Sequence, residues 1–234
     1  MKHLYNSGLI GKTKWFVKRF GWQELWRKPL RRIFWPLFMP LNIDGQYNIK
    51  YQGVELRPKF DRHNCTWAGE RCIELAIARY YGKQYKAADI LEVGNVTAHY
   101  YDTDHLIVDK YERGVMVLNE DICTFNPPHK YTLIISISTF EHIGFDDDSG
   151  STVLDAVDQC YRLLAPNGKL VITLPIGYNP AADVAILMCS GKVTYYVRTG
   201  FSRWEECSRD TAFMHPYGCK YPYANAIAVL EITK

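Results

Sequence analysis

Residues 90–101 read ILEVGNVTAHYY. An apolar run holding one acid ends on a single glycine, Gly94, which is how a buried strand passes into the turn that opens a nucleotide-binding α/β fold. Apolar segments recur around it, and strands are predicted at 88–93, 105–108, 115–118, 132–137, 169–174, 193–198 and 226–233. Helical periodicity marks 66–81, 151–164 and 181–189. The runs LIISIS and KLVITL are apolar almost throughout, as expected of parallel strands covered by helices on both faces. The pattern predicts a three-layer, doubly wound α/β domain over 66–234 with a mainly parallel, seven-stranded sheet. Residues 1–65 read as an N-terminal extension and connector, in which turn-forming residues and short alternation over 42–64 suggest a hairpin or an irregular connection.

At 234 residues the chain suits one domain plus an appendage. Its 47% hydrophobic and 23% charged residues are ordinary for a globular protein, so disorder is not the expectation. Seven scattered cysteines with no CxxC pair point to a reducing compartment. No secretory pattern and no apolar run long enough to span a bilayer is found, so the expected location is cytoplasmic.

The net charge of +3 conceals an asymmetry: residues 1–40 hold nine Lys or Arg against the single acid Glu24. Within 12–41 these bases alternate with Trp and Phe, and Trp22, Trp26, Leu30 and Phe34 recur every four residues. Such a segment suits an anionic membrane surface. Binding to nucleic acid and packing of the Trp face on the rest of the protein are the other two readings, nucleic acid the least favoured.

In an open α/β sheet, ligands sit beyond the carboxyl ends of the strands. The residues there are Glu92, Gly94 and Asn95, then Asp109, then Glu120, Asp121 and Ile122, then 136–142, then 175–179. An acid after the second strand can accept both hydroxyls of a ribose, and one after the third can accept an exocyclic amine, which describes an adenosine pocket with no pyrophosphate cradle.

The segments DILEVGN (89–95), HLIVDKYE (105–112), LNEDI (118–122), YTLIISISTFEHIG (131–144) and LLAPNGKLVITLPIGYNP (163–180) resemble the class I S-adenosylmethionine-dependent methyltransferases. In detail they look most like those of surface-polysaccharide pathways. The resemblance implies S-adenosyl-L-methionine as cofactor and a hydroxyl of a glycan or sugar nucleotide as acceptor. It implies a cofactor site of Glu92, Gly94, Asn95, Asp109, Asp121, Ile122 and Ser138, with Glu112 competing with Asp109 for the ribose. An RNA or small-molecule acceptor is the alternative, as is a catalytically silent module that recruits glycosyltransferases.

Val96 and Ala98 stand where the family pattern has two further glycines. A β-branched residue resists positive φ, so the turn must be remodelled. Gly94 and Asp109 are also closer in sequence than the roughly 20 residues of a dinucleotide fold, which predicts a short or distorted first crossover helix.

His142 is the candidate base, since imidazole titrates near neutrality; the alternative is that Glu141 and His142 brace their helix. Glu141, Tyr178 and Asn179 are candidate substrate contacts, Tyr178 by stacking on a pyranose and Asn179 by bonding its hydroxyls, unless both only shape a turn. Asp146, Asp147 and Asp148 could position a sugar or a cation, or form a solvated loop. Cys207, His215 and Cys219 match no tetrahedral zinc spacing, and no metal is expected.

Overall fold

The computed structural model describes residues 9–27, 29–30, 33–34, 47–146 and 150–234. Helix α1 (Leu9–Phe20) comes first, followed by an antiparallel hairpin of β1 (Ile49–Tyr51) and β2 (Val54–Leu56). The helix expected at 66–81 divides in two. Residues 63–68 form a 3-10 turn in which Asn64 and Cys65 hold positive φ, and α2 (Arg71–Gly82) begins only after an extended Gly69.

The apolar runs become β3 (Ile90–Val93), β4 (Leu106–Val108), β5 (Val117–Leu118), β6 (Tyr131–Ile137) and β7 (Leu164–Pro175), with α3 (Val153–Leu163) before β7. After them come α4 (Pro180–Met188), β8 (Lys192–Arg198), β9 (Trp204–Cys207), α5 (Arg209–Phe213) and β10 (Ala226–Thr233). The sheet order is β5-β4-β3-β6-β7-β10-β8-β9. The first five strands are parallel; β10 inserts antiparallel between β7 and β8, and β9 adds antiparallel to β8. All seven expected strands are present, and β9 makes an eighth. Its four residues, WEEC, are too short and too polar to stand out as a strand in the sequence.

Side-chain alternation sorts the core into two layers. Ile90, Leu133, Ile135 and Ile137 face α2 and the hairpin, burying Ile73, Ile77 and Tyr51. Leu91, Val93 and Ile134 face the other way onto α3, α4 and α5. Each fully buried Leu or Ile contributes about 2 kcal/mol. Helix α3 starts at a capping box, in which the Thr152 hydroxyl accepts the Asp155 amide at 3.2 Å and the Asp155 carboxylate accepts the Thr152 amide at 2.7 Å. The hairpin is tied to the sheet by the Tyr51 hydroxyl, which donates to Glu231 at 3.0 Å.

The first crossover departs most from the usual pattern. A single 3-10 turn, Thr97–His99, stands between β3 and β4 where a helix would normally run. Because strand order reverses about the β3–β6 pair, a crevice forms beyond their carboxyl ends. Among the described residues, no helix is long and apolar enough to cross a membrane.

Candidate active site

A cavity of about 350 Å³ occupies that crevice, walled by the segments after β3, β4, β5 and β6 and by Arg71 at the start of α2. Its floor is the turn at Gly94. The glycine holds φ +87, and a Cβ there would overlap the Thr139 side chain from the segment after β6. Conformation and close approach both demand glycine here.

Glu92 explains how the turn manages with one glycine. It is buried and does not line the cavity. Its Oε1 accepts the amides of Val96 at 3.0 Å and Thr97 at 2.7 Å, while Oε2 takes the Thr97 hydroxyl and lies 2.8 Å from His105 Nε2. The turn is thus held from beneath by a carboxylate, and Val96 rests at φ −116, an ordinary value for a branched residue. Glu92, expected at the cofactor, stands behind the turn rather than on the cavity wall, with its acceptor sites filled by the protein.

Asn95, Asp109 and Glu112 form one edge of the cavity. Asp109 Oδ2 accepts the Asn95 amide at 2.8 Å, and its Oδ1 accepts the amides of Tyr111 and Glu112 at 2.8 and 2.7 Å. Glu112 Oε2 receives Asn95 Nδ2 at 2.9 Å and lies 3.0 Å from His99 Nε2. The Asn95 side-chain oxygen is buried with no donor, an acceptor that a ligand hydroxyl or amine would satisfy. Both rivals for a ribose, Asp109 and Glu112, face the cavity.

Asp121 and Ile122 line the next wall, with Ile143 also on the cavity. Asp121 pairs with Lys110 at 2.9 Å and accepts the Cys123 amide at 3.0 Å. Ser138, at φ +40, also lines the cavity and donates to Glu74 at 2.5 Å. Glu74 takes the Thr173 hydroxyl at 2.8 Å and pairs with Arg71 at 3.4 Å; burial pushes its pKa up against the pull of that guanidinium.

His142 lies at the cavity wall between two carboxyls. Its Nδ1 bonds Asp146, and its Nε2 is 3.7 Å from Glu141. Burial opposes the imidazolium, but the Asp146 hydrogen bond and the Glu141 charge outweigh it and raise the His142 pKa above the ordinary value. Glu141 is buried behind His142, with one carboxyl oxygen unpartnered; burial pushes its pKa up to about 8, His142 pulling the other way.

The structure does not bring Glu141, Tyr178 or Asn179 onto the cavity wall. Tyr178 lies edge-on to His142 at 5.1 Å and donates to Asp146 at 2.8 Å, so its buried ring cannot stack on a sugar in this arrangement. Asn179 caps α4 by accepting the Ala181 amide at 2.9 Å, and its amide donates to the Glu141 carbonyl at 2.9 Å. Both expected substrate contacts instead brace the His142 segment, because the chain after β7 turns at Gly177 straight into α4.

Asp147 and Asp148 lie outside the described residues, and among the described residues no His, Cys, Asp and Glu group could hold a metal ion. Arg71, Asn64 and Thr139 were not singled out from the sequence, yet all line the cavity. The signal for Arg71 was Glu74, an acid one turn later in the apolar run CIELAIA, which implies a buried charge needing a partner.

No protein-family model matches the chain, and no curated protein matches it in sequence. Solved structures similar to it include the N-methyltransferase NodS from Bradyrhizobium japonicum WM9 with S-adenosyl-L-homocysteine, at 12% identity and a TM-score of 0.48, covering 70% of this chain and 87% of that one. A possible histamine N-methyltransferase from Thermotoga maritima gives 12% identity and a TM-score of 0.43, covering 89% and 99%. The glycopeptide N-methyltransferase MtfA with S-adenosyl-L-methionine gives 10% and 0.34, covering 67% and 85%. Likenesses this distant carry no argument about chemistry. The order of the strands and the antiparallel insertion of β10 match the Rossmann-like class I methyltransferase fold.

Proposed function

We propose that the chain transfers a methyl group from S-adenosyl-L-methionine to a hydroxyl of a glycan or sugar nucleotide. The observation that carries this reading is the cavity at the switch point, where an edge of acceptors meets an apolar wall over a one-glycine floor. That donor and acceptor set fits an adenosine and a short charged tail better than a pyrophosphate, which needs a cradle of amides. When bound, the cofactor supplies a methyl carbon already activated by its sulfonium.

The chain's own residues bind and orient. Asp109 and Glu112 would accept ribose hydroxyls, Ile122 and Ile143 would flank the flat base with Asp121 at its edge, and Arg71 would meet the carboxylate of the tail. Gly94 admits the ligand close to the backbone. Holding the acceptor oxygen in line supplies most of the rate, and one proton must leave as that oxygen attacks. His142 receives it at Nε2, since Nδ1 is bonded to Asp146. The partners in this reading are the cofactor, the sugar acceptor and, for residues 12–41, an anionic membrane surface.

Isothermal titration with S-adenosylmethionine and S-adenosylhomocysteine tests the reading. Micromolar binding of both is expected, weakened about tenfold or more in Glu112→Gln and in Asp109→Ala. Asp109 also braces three amides, so the Glu112 variant separates a lost ligand contact from a collapsed loop. No binding at millimolar ligand would overturn the proposal.

A further inference from the structure

The N-terminal region presents large apolar side chains to solvent. On α1, Leu9 and Ile10 are 84% and 74% exposed, and farther on Trp22, Ile33, Trp26 and Phe34 are exposed as well, the first two at 63% and 64%. Lys14 and Lys18 are exposed on α1, and Arg27 beyond it. Glu24, the single acid among residues 1–40, is buried and lies 4.0 Å from Arg27. The exposed described side chains of this region are therefore apolar, neutral or cationic, and none is acidic.

A second apolar face makes the contrast. Val184, Leu187 and Met188 are exposed on α4, but the charged residue of that helix is Asp183 and no cation accompanies them. Nothing on α4 selects an anionic surface. At the N-terminus the two features coincide: aromatic rings suited to the headgroup level and bases suited to phosphates. Among the described residues, no helix of this region is long and apolar enough to span a bilayer.

We propose that residues 9–34 dock the protein on an anionic lipid bilayer, lying in the plane of its interface. Leu9, Ile10, Trp22 and Trp26 enter the headgroup boundary, while Lys14, Lys18 and their neighbouring bases meet lipid phosphates. Each Lys or Arg near such a surface strengthens partition about fivefold at moderate salt, and apolar burial adds the part that salt does not screen. The docking is independent of the reaction, because it uses no residue of the cavity.

The test is sedimentation of the full chain with vesicles of phosphatidylcholine containing about one-third phosphatidylglycerol, against phosphatidylcholine alone. Expected are strong preference for the anionic vesicles, a blue shift of tryptophan emission, and weakening as salt rises. Lys14→Glu with Lys18→Glu should cut partition at least about twenty-fold, and Trp22→Ser with Trp26→Ser at least about tenfold. Equal binding to both vesicles, no effect of either double variant, or tighter binding to a mixed-sequence RNA that strips the chain from vesicles would each overturn the proposal. S-adenosylhomocysteine titration on the same samples reports the fold and the cavity separately, so a failed docking and a failed methyltransferase reading are distinguishable.

Discussion

Glu92 and Glu141 are both buried carboxyls, 0% and 2% exposed, the first within β3 and the second in the turn just after the neighbouring parallel strand β6. Glu92 is surrounded by donors: two amides, a hydroxyl and a histidine. Glu141 has an oxygen with no partner and a histidine 3.7 Å away. Burial is the same, but the environment assigns opposite work. A carboxylate whose lone pairs are filled by its own loop builds a floor. A carboxyl left short of donors keeps its proton and stands ready to affect the imidazole beside it.

The largest effect that tests this contrast is a dependence of stability on pH. The folded pKa of Glu141 is pushed from 4.5 to about 8, so the folded state holds this proton more tightly than the unfolded chain does. Its contribution is fully present below the unfolded value and is lost as pH rises through the folded one, a change on the order of 5 kcal/mol. Glu141→Gln, which mimics the protonated form, should remove that slope between pH 5 and 8. Urea unfolding at several pH values checks it; an unchanged slope would show that Glu141 is ionised when folded.

Next in size is the loss of Glu92. Glu92→Ala strips two amides and a hydroxyl of their charged acceptor in a buried turn, a cost of about 3 kcal/mol. The same variant should lose cofactor affinity without having touched the cofactor, since Asn95 and Gly94 sit on that turn. A stability change below about 1 kcal/mol would mean that water replaces the carboxylate, and the contrast with Glu141 would dissolve.

These two residues also mark where the sequence stops being readable. The apolar runs at 90–93, 132–137 and 169–174 could be read because a parallel strand buried on both faces has no other pattern. That Gly94, Asp109 and His142 would meet at one cavity could be read because each falls just beyond a strand. The side on which Glu92 works could not, because alternation puts it on the face of Ile90 but does not say that the turn folds over that face. Tyr178 and Asn179 carry two readings in the sequence, a sugar contact or a shaped turn, and the packing sets Tyr178 on Asp146 and Asn179 at the start of α4. Arg71 is not legible in the sequence because eighteen residues lie between it and β3, while in space the two share a cavity. β9 was missed because four residues of mixed polarity carry no period.

The smallest effect concerns what Glu141 and Asp146 together do to His142. Asp146 takes His142 Nδ1 and the Tyr178 hydroxyl, which fixes the imidazole and helps raise its pKa. Under the proposed function, a raised pKa keeps the base protonated to higher pH, so methyl transfer should climb through an acidic limb lying above the usual histidine range. Asp146→Asn removes that charge but can keep a hydrogen bond, so the limb should move to lower pH while the plateau falls only about tenfold. A purely structural Asp146 would lower the plateau and leave the limb in place. Glu141→Gln, which mimics the protonated carboxyl, should leave the limb in place below about pH 8, where Glu141 already carries its proton.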